Sequence, residues 1–442
     1  AISFGKLRVG YGQTGANAKS GFPFLSNVES NVWFRYSVDN EYSQTGTGPY
    51  QIANPEVRWE SVNMTNLGLD LAFFDNRLAI TTDVFNKVNE GMLMLREVPA
   101  TAGTFNGSDP EVNFGSIKNM GYEITITGRK KEGELRGSID LNLSGVRNEV
   151  LELASDSMLA GRVHTLSPTN LTCIGQPVAQ FYGFKVDYSV GNGLFRETDP
   201  VETSGARSII TNQPYREVDG KKIYAQAKAV PGDRRYKDLN GDGQINDKDK
   251  VNLGSPLPKL TYGFSINLEY KGFDLSAFFN GTLGNKILNG TKQYTYYLQG
   301  YGNKLKEYAD RYVEKDIIKL DPDGNEYVAV KQNIDTDIPR NNADNYNKLT
   351  DWHIEDGSYL RLKNLVVGYT LPNSLTSKIN IQKIRIYGGA KNLFTLTKYK
   401  GLSPDVAGKQ PEQAGMGVLE LGVDLGVYPV TQMFYFGANI VF

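Results

Sequence analysis

Apolar and polar residues alternate along this chain in segments of about ten residues, the length a tilted strand needs to cross a bilayer. Leu67, Leu69, Leu71 and Phe73 alternate with Asn66, Gly68, Asp70 and Ala72. After Asp75-Asn76, Leu78, Ile80, Thr82 and Val84 alternate with Ala79, Thr81 and Asp83. A second pair sets Tyr122, Ile124 and Ile126 against Glu123, Thr125 and Thr127, then Leu135, Ile139, Leu141 and Leu143 against Arg136, Ser138, Asp140 and Asn142. In a third pair, Tyr262, Phe264, Ile266, Leu268 and Tyr270 alternate with Gly263, Ser265, Asn267 and Glu269. Lys271-Gly272 then leads into Phe273, Leu275, Ala277 and Phe279. A period of two puts successive side chains on opposite faces of a strand, so each pair predicts a hairpin with one apolar face.

A half-buried sheet in water would alternate too. The connections favour a membrane. Those at 75–76, 129–134 and 271–272 are tight, and those at about 88–118, 147–259, 283–356 and 398–430 are long. Membrane barrels have short periplasmic turns and long extracellular loops. With the tight turns assigned to the periplasm, strand 357–370 runs inward, 371–382 is periplasmic and 383–397 runs outward. The last strand, about 432–442, then runs inward and ends in the periplasm. It alternates Phe434, Phe436, Ala438, Ile440 and Phe442 with Tyr435, Gly437 and Asn439. A terminal Phe on such a strand resembles the signal read by the outer-membrane assembly machinery. The expected architecture is all-β: a transmembrane antiparallel β-barrel with about ten strands in residues 1–442, in which 147–259 forms a large extracellular loop region.

Composition narrows the alternatives. The 442 residues are 40% hydrophobic and 22% charged, without an apolar run long enough for a transmembrane helix. A net charge of −1 gives no nucleic-acid footprint. The 26 Tyr, 20 Phe and 47 Gly suit barrel girdles and turns, and also carbohydrate-binding sandwiches. Cys173 stands alone, which excludes a disulfide framework within the chain and a cysteine zinc cluster. His164 and His353 are expected to be surface or packing residues. No basic region followed by an apolar core opens the chain at Ala1, so the N-terminus is expected to be internal or processed. Neither a Ser-His-Asp order, a zinc-ligand pair nor a phosphate-binding glycine loop has a credible context, so no enzyme is expected.

Two stretches carry candidate chemistry. From Asp238 to Asp249 the spacing fits a calcium loop. Oxygen side chains fall at positions 1, 3, 5, 9 and 12, and Gly243 falls at the sharp turn. The expected ligands of Ca2+ are the side chains of Asp238, Asn240, Asp242 and Asp249 and the carbonyl of Gln244. The alternative is an Asn-Gly/Asp-Gly turn that binds nothing. Trp352 and the cluster Tyr294, Tyr296 and Tyr297 could stack on sugar rings. The alternative for them is loop packing or a girdle.

Several stretches carry a family resemblance. They are Gly175-Gln-Pro177 with Phe181-Tyr-Gly-Phe184 and Gly193-Leu-Phe195; Pro231-Gly-Asp233 through Tyr236-Lys-Asp-Leu-Asn-Gly-Asp-Gly243; Leu253-Gly-Ser-Pro256 through Tyr262-Gly-Phe264; Asp356-Gly-Ser-Tyr-Leu-Arg-Leu-Lys-Asn364 with Gly368-Tyr-Thr-Leu-Pro372; and Asn392-Leu-Phe-Thr395 with Lys398-Tyr-Lys-Gly401. In order and coverage the chain resembles the C-terminal part of SusC/RagA-type TonB-linked outer-membrane proteins. The resemblance implies a 22-stranded barrel around an N-terminal plug, a SusD-like surface lipoprotein that captures substrate, and energising by the TonB complex. It implies active import of an oligosaccharide, or alternatively of an oligopeptide, across the outer membrane of a Gram-negative cell. A passive porin and a secreted calcium-dependent carbohydrate-binding sandwich are the competing classes. The TonB box, the plug and the first barrel half are not in these residues, and are expected as partners from the N-terminal part of the same protein.

Overall fold

A computed structural model describes residues 2–16, 24–25, 28–36, 44–49, 52–96, 110–204, 207–296, 303–406 and 419–442. Ten strands form one sheet: β1 (Ile2–Ala16), β2 (Glu60–Phe73), β3 (Leu78–Leu95), β4 (Glu111–Lys130), β5 (Leu135–Glu152), β6 (Leu260–Tyr270), β7 (Phe273–Leu283), β8 (Tyr359–Thr370), β9 (Lys383–Thr397) and β10 (Met433–Val441). Each pairs antiparallel with its neighbours in chain order. The three hairpins expected from alternation, β2–β3, β4–β5 and β6–β7, are all present. The tight connections lie at one end of the sheet. Ile2 sits opposite Phe73 and Val441 opposite Lys383, so β1 starts and β10 finishes at that same end. This is the parity derived from the sequence.

The turns explain the hairpins locally. Lys271 and Gly272 both have positive φ, 47° and 89°, as a two-residue turn between right-twisted strands requires. The β2–β3 turn runs through Phe74, Asp75 and Asn76 at φ 54°, 55° and 62°.

Strands β3, β4 and β5 are 18, 20 and 18 residues long. The connections expected at 88–118 and from 147 therefore begin only after Leu95 and Glu152. Alternation fades at Lys87, Asn89 and Glu90 although pairing continues. Beyond the apolar rows one face no longer meets lipid, so nothing requires it to stay apolar.

The long connections fold against one another at the other end. Leu288 and Asn289 pair in parallel with Val423 and Asp424, and Phe184 bridges Thr350. One cluster there buries Val163, Leu166, Phe181, Leu288, Leu349 and Val423. Another joins loop to wall, with Val150, Leu153, Val178 and Ala179 packed on Met94 and Ile117. In the sheet, by contrast, large apolar side chains stay exposed: Phe436 at 88%, Phe442 at 81% and Ile139 at 53%. A water-soluble fold buries such residues; a wall in lipid does not. None of the described helices is long and apolar enough to cross a membrane, which says nothing about strands. Among the described residues β1 and β10 each have a single neighbour, so the ten strands form an open arc.

Candidate functional site

The register sorts the two faces of the wall. One row runs Leu7, Leu69, Thr82, Ile124, Leu143, Tyr262, Gly281, Leu360 and Leu396 across nine strands. The next row runs Arg8, Gly68, Asp83, Glu123, Ser144, Thr261, Thr282, Tyr359 and Thr397. Residues directly opposite each other share a face, so the first row is the apolar outside and the second the polar inside.

Charges on the inside are paired across strands. The Arg8 guanidinium donates to Asp70 at 2.9 and 3.0 Å and to Asp83 at 2.8 Å twice, tying β1, β2 and β3 together. Gly68 makes room for it, because a Cβ there would lie 2.5 Å from Arg8 Cζ and from Asp83 Oδ1. The Arg385–Asp274 pair, with Nε to Oδ1 at 2.8 Å, sits over Gly368 in the same way. Aromatic rings also lie across glycines on neighbouring strands. Tyr122 covers Gly145 and Tyr262 covers Gly281 outside; Phe85 covers Gly121 and Tyr435 covers Gly389 inside. Alternation marked these positions as inward or outward. It could not reveal the partnerships, which depend on register.

At the loop end, a cavity of about 480 Å³ lies between the inner face of β3–β5 and the folded connections. Its lining includes Met92, Met94, Ile117 and Val146, with Asn89, Asn119 and Asn148 as polar groups. Asn148 Nδ2 donates to Asn119 Oδ1 at 2.8 Å, and its own Oδ1 accepts from the Val178 amide at 2.9 Å. Asn89 Oδ1 is buried without a hydrogen-bond partner. Sequence reading missed this cavity because its residues come from four wall strands and two long connections.

The rings that could stack on sugar divide between the loop core and the surface. Trp352 is 7% exposed and Tyr296 8%, and both belong to the loop core with Val186, Tyr308 and Tyr346. Arg234 Cζ lies 4.6 Å from the Trp352 ring centre and Lys292 Nζ 4.3 Å, so both are placed for cation–π contact with the indole. Tyr296 meets the indole edge-on at 5.3 Å. Lys292 also donates to the Trp352 carbonyl at 2.7 Å and pairs with Glu355 at 2.9 Å. Burial pulls its ammonium below the usual range, while Glu355 opposes that shift. The rings cannot stack on a sugar here because a connection folding outside lipid needs a core of its own, and these are its largest apolar groups. Tyr294 is half exposed and sits edge-on to His164 at 5.7 Å. Tyr297 lies outside the described residues. His164 is exposed, and His353 is fully buried with Nδ1 against the Thr350 hydroxyl. Burial, then Arg234 and Lys292, hold its imidazole well below its usual range, so it is neutral.

The 238–249 loop closes on its own amides. Asp238 accepts from the Gly241 and Gly243 amides at 2.7 and 2.8 Å, and Asp242 accepts from the Gln244 amide at 2.9 Å. Asn240 Oδ1 accepts from the Asp242 amide at 2.9 Å. Asp249 is fully buried and accepts from the amides of Leu239 and Asn246, each at 2.9 Å. Gly241 and Gly243 both have φ +73°, and a Cβ on Gly243 would lie 2.2 Å from the Tyr215 carbonyl oxygen. The donor set is all oxygen, as a hard cation prefers. Among the described residues no group of three or more His, Cys, Asp or Glu converges as a metal cluster.

A meander of membrane-length strands, apolar outside and polar inside, with tight turns at one end and folded loops at the other, defines a segment of a β-barrel wall. Comparison with known proteins narrows the class. No protein-family model matches the chain. It is 29% identical over 448 residues to TonB-dependent receptor P3 of Formosa agariphila, covering 100% of this chain and 40% of that protein. It is 24% identical over 457 residues to the TonB-dependent receptor SusC of Bacteroides thetaiotaomicron, covering 99% of this chain and 37% of SusC. Among solved structures, the RagAB peptide transporter superposes with a TM-score of 0.69 at 23% identity, over 99% of this chain and 41% of that one. The chain is similar along its whole length to TonB-dependent receptors, SusC among them, and shares its barrel fold with the RagAB structure. It spans about two-fifths of the length of these relatives.

Proposed function

We propose that this chain is part of the wall of a TonB-dependent importer in the outer membrane of a Gram-negative cell. The observation that carries the reading is the split between apolar outward rows and charge-paired inward rows. An aqueous passage through lipid needs that split; a half-buried soluble sheet would show it too but would cover its apolar rows with a core, whereas here Ile139, Phe434 and Phe436 stay exposed. The tight-turn end faces the periplasm and the folded connections face outward. Strands from the N-terminal part of the same protein close the arc around a plug, and that part receives energy from the TonB complex. A SusD-like surface lipoprotein delivers the cargo. An oligosaccharide is the first reading of the cargo, following SusC-like systems. Two of the four rings that could stack on it, Trp352 and Tyr296, are however buried in the loop core. The methionine-lined cavity, with no aromatic side chain among its described lining residues, favours an oligopeptide as the second. Apolar peptide side chains suit such a cavity. Catalysis plays no part in either reading.

Uptake of labelled oligosaccharides and of labelled peptides by cells with and without the intact receptor gene tests the proposal. Loss of uptake of one class on deletion is the expected result. Unchanged uptake of both would refute the importer.

We also propose that the 238–249 loop takes a calcium ion as a brace, through Asp238, Asn240, Asp242, Asp249 and the Gln244 carbonyl. The ligand spacing and the two left-handed glycines support this. The ion would stiffen the extracellular layer and take no part in transport chemistry.

A further inference from the structure

At the loop end of the wall, β5 outruns its neighbour. The last pair between β5 and β6 is Ser144 with Thr261, yet β5 continues to Glu152. The chain entering β6 and the chain leaving β7 bend away there and leave a cleft of about 530 Å³. Met120 and Tyr122 of β4 line one side, and Leu257 and Pro258 line the other. Met120 and Tyr122 continue the outward row of Ile124 and Ile126, so the cleft opens on the side the wall turns to lipid. Arg147, Lys259 and Lys286 lie around it, and no Asp or Glu is among its lining residues. Arg147 and Lys259 are exposed and, among the described residues, paired with no carboxylate. Lys286 stands opposite Asp356 in a short ladder, so its charge is partly matched.

The level of the cleft along the wall matters. The outward rows are apolar up to Leu143 and Tyr262, and Arg147 lies two outward positions beyond Leu143. That is where hydrocarbon gives way to headgroups. Basic side chains at such a boundary reach for anions, and each near an anionic surface is worth a few-fold in binding. Scattered basic residues would reach only for water. Here they flank an apolar slot large enough for part of an acyl chain.

We propose that this cleft binds an outer-leaflet lipid with a phosphorylated sugar headgroup, one acyl chain in the slot and the phosphate against Arg147 and Lys259. The inference rests on the membrane reading above. It commits to lipid because a protein partner covering this outward face would have to lie within the bilayer.

The test uses the intact receptor purified from outer membranes. Native mass spectrometry would follow titration with a phosphorylated diglucosamine lipid and with the same lipid stripped of phosphate. Saturable one-to-one retention of the phosphorylated form alone is expected. Arg147→Gln with Lys259→Gln should weaken it roughly thirty-fold, at about fivefold per cation. Arg147→Lys with Lys259→Arg keeps both charges and should retain binding. Heat-dependent gel mobility checks that each variant still forms a barrel. Equal retention of both lipids, or equal binding by the charge-removed variant, overturns the proposal while leaving the importer intact. A protein cross-linked to position 147 in place of lipid also overturns it. Failure of the parent receptor to float with vesicles overturns the proposal and the membrane reading together.

Discussion

His353 is buried beside the cations Arg234 and Lys292, which together with burial hold it neutral. An unfolded extracellular layer would let its imidazole regain the ordinary value near 6.5. Because the folded value is the lower one, the unfolded form takes up more protons as pH falls through about 6.5, so folding weakens with acidification. The stability is complete above that pH and is lost below it. Limited proteolysis of the loops should therefore quicken at pH 5 relative to pH 7.5. His353→Asn keeps an acceptor for the Thr350 amide and should flatten the profile. A pH-independent parent would show that His353 carries no such linkage. The sequence read this histidine as a surface or packing residue, and its charged neighbours Arg234 and Lys292, which come from distant parts of the chain, were not legible there.

Strands and turns carry predictions of their own. A Cβ at Gly281 would lie 2.0 Å from the Tyr359 carbonyl oxygen, a backbone atom that cannot yield without parting β7 from β8. Gly281→Ala should cost about 1–3 kcal/mol. Gly10 has nothing within 4 Å of its Cβ position, so Gly10→Ala should be nearly neutral. Similar unfolding midpoints for the two variants would contradict the register. The outward row gives a second comparison. Ile266→Arg should cost about 2–4 kcal/mol near the bilayer midplane, whereas Asn267→Arg on the inner face should insert normally. Normal membrane insertion of Ile266→Arg would count heavily against the barrel. For the 238–249 loop, millimolar calcium should raise the unfolding temperature of the extracellular layer. Asp238→Ala loosens the loop by losing its two amide contacts, so the informative quantity is the calcium-dependent part of the shift. An identical calcium shift in parent and variant would remove the ion from this loop.

At the scale of the molecule, the arc poses a physical problem. A sheet edge inside hydrocarbon leaves backbone groups without partners, at several kcal/mol each. The outer edges of β1 and β10 therefore need strands from outside these ten. In the membrane-embedded receptor, backbone amides of β1 and β10 should exchange with deuterium as slowly as those of the central strand β7. Rapid exchange along either edge would show that the arc stands open and that the closed-barrel importer is wrong. Mass spectrometry of the purified complex should also find barrel and plug sequence beyond these residues.

Alternation of apolar and polar residues determined the strands of the wall, because period two is a property of neighbours in the chain. Leu67–Phe73, Tyr262–Tyr270 and Phe434–Phe442 each declare an apolar face without reference to any partner. Connection lengths determined the parity, since a two-residue turn fixes two strands side by side and places both ends. What lies between strands was beyond such reasoning. Arg8 meets Asp70 and Asp83, and Tyr262 lies over Gly281, only because register aligns residues far apart in sequence. The folded connections at the loop end were the least legible part. For Trp352 and Tyr296 the sequence left stacking and loop packing both open, because loop residues carry no periodicity and a core assembled from residues 163 to 423 has no local signature. Tertiary structure alone decided which aromatic rings are buried. It also decided that the strands run past the lipid, and that a cleft opens where β6 leaves β5.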